Sequence, residues 1–233
     1  MTSPGLCGTM VSPVINMGKY KLIVFDWDGT VADSLHHIVA AMQAAFESAR
    51  LPARATEKIL DIIGLGMGEA VTRLYPDIDT AERTELIQYY RQHYQATATG
   101  KTVLYPEAKA TLKRLADDGY LLAIATGKTR QGLERAITEA NVKKYFHASR
   151  CADETFSKPH PQMLLEIMDM LNVVPEETVM VGDSEHDLRM AANAKVSSIA
   201  VSYGAQPLHH LLAFNPLTSL QCLGDLPHWL KAR

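Results

Sequence analysis

Cysteine is scarce in this 233-residue chain: Cys7, Cys151 and Cys222 are odd in number, far apart and never in CxxC order. That pattern argues against a disulfide framework and against a zinc site, and it suits a reducing compartment. Long apolar runs are also missing. None approaches the ~20 residues that cross a bilayer, and the opening stretch MTSPGLCGTMVSPVIN has neither the basic start nor the sustained apolar segment of a secretory signal. The expected location is the cytoplasm, without a membrane partner. Charge of one sign is not in excess either. With 23 Lys and Arg against 26 Asp and Glu, the net charge of -3 gives no electrostatic reason to expect nucleic acid. No internal repeat or low-complexity tract is present.

What the chain does contain is a regular alternation. Apolar, β-prone runs fall at KLIVF (21–25), LLAIAT (121–126), TVMVG (178–182) and SSIAVS (197–202), with a weaker one at SLQCL (219–223). Between them lie helical patterns at 107–119, 129–141, 161–172 and 186–195, bounded by Gly, Asn or Pro. Strand and helix in turn predict an α/β fold, a Rossmann-like doubly wound parallel sheet covered on both faces. Residues 35–104 break the alternation, because LHHIVAAMQAAFESA, EKILDII, GEAVTRLY and AERTELIQYYRQHYQAT all have helical periodicity and no strand accompanies them. The expected organisation is an N-terminal extension over 1–18, a core domain from 19–34 and 103–233, and an all-helical cap over 35–102. Hinges are expected near Asp33–Ser34 and Gly100–Tyr105.

The chemistry gathers at strand ends. VFDWDGTVADS (24–34) terminates an apolar strand in Asp26 and Asp28, where burying carboxylates is costly unless something compensates. Asp28-Gly29 is a hairpin signal on its own, yet a helix follows instead of a second strand, so the acids stand at the carboxyl end of a parallel strand, where such sheets bind ligands. MVGDSEHD (180–187) repeats the arrangement with Asp183 and Asp187, of which helix capping accounts for one. If the two strands are neighbours, the acids converge, and a hard divalent cation relieves their repulsion. All-oxygen ligation with no His or Cys cluster suits Mg²⁺. Thr126 and Gly127 in IATGK offer a hydroxyl and a backbone N–H to a phosphoryl oxygen. Lys158 in SKPHP stands before a helix, as a surface lysine also would.

In this order, DWDGTVADS, the threonine of IATGK, the lysine of SKPHP and GDSEHD resemble the four signature motifs of the haloacid dehalogenase superfamily, from Lys19 onward. The insert resembles the small helical cap, and FDWDGTVADS with GLGMGEAVTRLY is most similar to phosphoglycolate phosphatase-like members. One departure is Gly127, where Asn is common. The resemblance implies that Asp26 is the nucleophile and forms an aspartyl-phosphate. Asp28 would serve as general acid and base, and its backbone carbonyl would join Asp26 and Asp183 around Mg²⁺. Lys158 would hold the nucleophile and the phosphoryl group, Thr126 and Gly127 would clamp its oxygens, and Asp187 would orient Lys158 or a metal-bound water, or cap its helix.

The resulting expectation is a Mg²⁺-dependent phosphatase of a small phosphomonoester, its partner a small phosphorylated metabolite, the chain a monomer or homodimer. A phosphomutase, a pyrophosphatase or nucleotide phosphatase of the same fold, and a phospho-accepting receiver domain are the rivals. Arg54, Lys58 and Arg73, with the amides around Gly64, Gly66 and Gly68, are candidates to meet an anionic substrate from the cap; each taken alone reads as a solvated surface residue or a turn. Thr30 and Gly29 are expected to shape the first loop, and Met163, Met168 and Met170 to fill the core. His36–His37 and His209–His210 read as surface residues.

Overall fold

The computed structural model describes residues 18–97 and 102–232. The first strand, β1 (Leu22–Phe25), is followed by four consecutive helices, α1 (Leu35–Ser48), α2 (Thr56–Leu60), α3 (Met67–Leu74) and α4 (Thr80–Thr97). Strand and helix then alternate through α5 (Ala108–Asp117), β2 (Leu121–Thr126), α6 (Arg130–Glu139), β3 (Ala148–Cys151), α7 (Gln162–Leu171), β4 (Thr178–Gly182), α8 (Glu185–Asn193) and β5 (Ser197–Val201). The short elements α9 (Leu208–Leu211), β6 (Ser219–Leu220) and α10 (Leu226–Lys231) end the chain. All six strands run parallel in the order β3-β2-β1-β4-β5-β6.

Period-two alternation along β1 explains the layering. Leu22 and Val24 enter a cluster with Met163, Leu164 and Ile167 of α7 and Met190 of α8. Ile23 and Phe25 pack on the opposite face with Leu112 and Leu115 of α5 and Leu133 of α6. Buried on both faces, a strand must be apolar at every position. Met163 and Met168 of α7 join this core, but Met170 is 45% exposed: two residues beyond Met168, it lies off the helix face that meets the sheet. The sequence pattern also omitted β3, whose ASRC run is polar because an edge strand needs only one neighbour, β2.

The four inserted helices build a core of their own around Met42, Phe46, Ile59, Val71 and Leu86. The chain leaves and re-enters the sheet domain through two paired segments. Asp33 N–H donates to the Val103 carbonyl at 3.0 Å and Tyr105 N–H to Val31 at 3.1 Å. Gly100 and residues 1–17 of the expected 1–18 extension fall outside the described residues. Among those described, no helix is long and apolar enough to cross a membrane.

Candidate active site

β1 and β4 are hydrogen-bonded neighbours with Phe25 opposite Val181, and Asp26 N–H donates to the Val181 carbonyl at 2.9 Å. This pairing brings Asp26 and Asp183 together from opposite halves of the chain, at the point where the strand order reverses. Lys158, from the loop between β3 and α7, is fully buried; its Nζ donates to Asp26 Oδ1 and Asp187 Oδ1, both at 2.6 Å. Removing even one ion from water costs several kcal/mol, comparable to what β1's apolar side chains each contribute at roughly 1.5–3 kcal/mol. The site is therefore sustained by its pairings.

Asp187 has both oxygens engaged. Oδ1 takes Lys158, and Oδ2 accepts from Ser184 N–H at 3.1 Å and Ser184 Oγ at 2.7 Å in a capping box that starts α8. Orienting the lysine and capping the helix are thus done by one carboxylate. Asp183 accepts from Thr30 Oγ at 3.2 Å and from Ala205 N–H at 2.7 Å. The Thr30 hydroxyl therefore reaches across to β4's acid, while its backbone N–H donates to the Trp27 carbonyl within the loop at 3.4 Å. Gly29, at φ 82°, makes the turn that allows this approach: a Cβ there would stand 2.1 Å from Asp183 Oδ2.

Electrostatics follow from burial. Asp26 is held well above the ordinary carboxylate range, first by burial, with Asp187 and Asp183 adding to it and Lys158 opposing. Burial, then Asp187, pushes Asp183 up to about 7 against the Ala205 amide. For Lys158, burial favours loss of the proton, but the Asp187 and Asp26 carboxylates outweigh it and raise the ammonium above its usual value. Asp26, Asp183 and Asp187 each offer an oxygen within 4.8 Å of the others, and Asp26 Oδ2 is buried without a hydrogen-bond partner. An all-carboxylate set with an orphaned oxygen fits a hard divalent cation. The Asp28 side chain stands apart from this set.

Asp28 accepts instead from Ser34 Oγ at 2.6 Å and from Lys128 Nζ, which lies 3.0 and 3.1 Å from its two oxygens. Lys128 also reaches Tyr94 of α4 at 3.3 Å. Burial would deprotonate it, yet Asp28, Tyr94 and Tyr90 keep its pKa raised. Sequence reasoning missed Lys128, whose only signal was its place two residues after Thr126, and missed the 203–206 segment that supports Asp183. Thr126, fully buried, accepts from Lys128 N–H at 3.2 Å, so its hydroxyl proton remains available to an oxyanion.

Gly127 lies under the inserted helices. A Cβ there would come within 2.4 Å of the Leu65 carbonyl oxygen and 2.7 Å of Gly64's. The side chain that would stand there is replaced by backbone of the cap. Gly66 N–H is spent on Ser157 Oγ at 2.7 Å and His186 Nε2 meets the Asp61 carbonyl at 2.9 Å, so the helices are closed down on the strand ends. The expected cap cations do not reach the site. Arg54 stacks 4.3 Å over the Tyr75 ring, Lys58 pairs with Asp61, and Arg73 lies 4.0 Å from Glu185. Each has a local partner, although Arg54 Nε is buried without a hydrogen-bond acceptor, and none lines the cavity of about 470 Å³ between cap and strand ends.

Residues 23–201 match the family described as haloacid dehalogenase-like hydrolase. A Vibrio vulnificus protein named phosphoglycolate phosphatase is 30% identical over 195 residues, 80% of this chain and 85% of its own. A Bacillus mycoides protein named pyrophosphatase PpaX is 28% identical over 209 residues, 89% of this chain and 95% of its own. Among solved structures, a Bacteroides fragilis protein described as a haloacid dehalogenase-like hydrolase superposes with TM-score 0.82 at 28% identity, covering 89% of this chain and all of that one. A Pseudomonas syringae hydrolase gives TM-score 0.82 at 22% identity over 92% of this chain and 99% of its own, a likeness of fold alone.

Proposed function

The chain belongs to the haloacid dehalogenase-like hydrolase family, and from that premise we propose that it is a Mg²⁺-dependent phosphatase that hydrolyses a metabolite-sized phosphomonoester through an aspartyl-phosphate on Asp26. One observation carries the reading: Asp26 is buried with one oxygen on Lys158 and the other unpartnered, beside Asp183. An unpaired buried carboxylate oxygen is costly unless it has a reaction or a cation to attend to.

The steps follow from the residues. Lys158 holds Asp26 in place and lends positive charge where phosphoryl oxygens gather, while Thr126 and the Gly127 amide donate to those oxygens. Asp26 Oδ2 forms a bond to phosphorus as the bond to the leaving oxygen breaks. Asp28, aligned by Ser34 and Lys128, gives its proton to that oxygen and then takes one from the water that cleaves the acyl-phosphate, returning Asp26 and inorganic phosphate. Asp26, Asp183 and the Asp28 carbonyl are the groups that would hold Mg²⁺, which when bound neutralises phosphoryl charge. The closed helices exclude bulk water from these steps.

The Vibrio relative makes phosphoglycolate the first substrate to assay and the Bacillus relative makes pyrophosphate the second. A receiver domain would have neither the inserted helices nor an acid two residues past the acceptor. Asp26→Asn should lower Mg²⁺-dependent phosphate release by more than about 10³-fold while circular dichroism stays unchanged. Undiminished release from the folded variant would remove Asp26 from the chemistry.

A further inference from the structure

The cavity between cap and strand ends opens onto Asp28, Gly127 and Lys128. Under the phosphatase reading, on which this inference rests, Asp28 protonates the leaving oxygen, so the space beyond it receives the leaving alcohol. We propose that this alcohol is neutral and broad, carrying an aromatic or similarly flat apolar ring, and that the site is not built for a compact anion such as glycolate or phosphate.

Size is the first reason. About 470 Å³ falls in the range of cavities that enclose drug-sized ligands, ~300–1,000 Å³, and a two-carbon acid would leave most of it unfilled. Wall chemistry is the second. Ile38, Met42, Ile62 and Leu65 are buried residues that line it, and Tyr90 and Tyr94, with ring centroids 5.7 Å apart, form an aromatic side. Such a wall gains by covering apolar surface and offers a carboxylate nothing in return.

Charge is the third. The cation deepest in the cavity, Lys128, is hydrogen-bonded to Asp28 and to the Tyr94 hydroxyl, and Asp28 balances its charge whenever that carboxylate is ionised. Arg91 and Arg135 line the cavity but are solvent-exposed, with Arg135 leaning toward Glu139 at 3.9 Å. Above Gly127 the cap presents the carbonyl oxygens of Gly64 and Leu65, and the Gly66 amide is spent on Ser157. Carbonyl oxygens repel a second anion and accept hydrogen bonds from a hydroxyl or an N–H. A desolvated anionic leaving group would meet those carbonyl acceptors and a lysine already hydrogen-bonded to Asp28 and Tyr94.

The test compares kcat/KM with Mg²⁺ for 2-naphthylmethyl phosphate and thymidine 5′-monophosphate against phosphoglycolate and pyrophosphate. The two ring-bearing esters and phosphoglycolate are all esters of primary alcohols, which keeps leaving-group basicity from separating them. At least one ring-bearing ester should exceed both small anions ten-fold or more. Met67→Trp, which pushes an indole into the cavity from α3, should lower that ratio at least ten-fold. A higher kcat/KM for phosphoglycolate or pyrophosphate overturns the inference and leaves the phosphatase standing. An unchanged ratio in Met67→Trp overturns the assignment of the cavity. Absence of phosphate release from every ester takes down the phosphatase reading itself, and the inference with it.

Discussion

Lys128 holds both oxygens of Asp28 while touching Tyr94 of the cap, so the proposed general acid is aligned by a side chain from a different strand end. General acid–base catalysis contributes typically 10²–10⁴-fold, and misaligning the acid forfeits part of that. Lys128→Met is expected to lower kcat by roughly ten- to a hundred-fold, with KM altered much less; equal losses in kcat and in 1/KM would instead indicate a substrate contact. The sequence named Asp28 and was silent on its partner. Asp28 follows a strand end by a local rule, whereas a lysine two residues after Thr126 looks like any loop lysine until the sheet order puts β2 beside β1.

Between elements, the inserted helices meet the sheet through backbone as much as through side chains. Gly127 tolerates this because it has no Cβ, and the carbonyls of Gly64 and Leu65 occupy the space a side chain would take. Gly127→Ala therefore forces the cap outward, since peptide backbone yields less readily than a side-chain tip. The expected result is a fall in kcat/KM of at least about ten-fold with the melting temperature nearly unchanged, because Gly127 contributes nothing to either face of the sheet core. A variant with full kcat/KM would mean the closed contact is dispensable. The helical insert itself was readable from periodicity over 35–97. Its candidate cations Arg54, Lys58 and Arg73 find Tyr75, Asp61 and Glu185 as partners, in keeping with the surface reading of each, because charge alone does not tell a local pair from a ligand contact.

For the whole molecule, the buried acids make stability depend on pH, and under the proposed function also on Mg²⁺. Asp183 and Asp26 bind their protons more tightly folded than unfolded, so their stabilisation is complete below about pH 4 and is lost as pH rises, for Asp183 through about 7. Glu154 and Glu166, lowered chiefly by hydrogen bonds from Arg130 and Arg150, act in the opposite sense above about pH 4.5, which makes a difference measurement necessary. Relative to Asp183→Asn, the metal-free wild type should lose melting temperature between pH 4 and pH 7.5. Mg²⁺ should restore several degrees at pH 7.5 and little at pH 5, on a scale of about 2–4 °C per kcal/mol. A Mg²⁺ effect larger at pH 5, or retained in Asp183→Asn, would remove Asp183 from the cation site.

By itself the sequence determined the apolar strand runs and helical crossovers, the insertion of helices after the first strand, and the order of candidate site residues from Asp26 to Asp187. These are properties of neighbours along the chain, where side-chain alternation, capping and turn chemistry act. The meeting of Asp26 with Lys158 across 132 positions, of Thr30 with Asp183 across 153 and of Lys128 with Asp28 across 100 was decided by tertiary structure alone. The same holds for the cavity above them, lined by residues of the inserted helices and of the β2–α6 segment. Strand order sets those distances, and it is fixed by the packing of two sheet faces and not by any local run of residues.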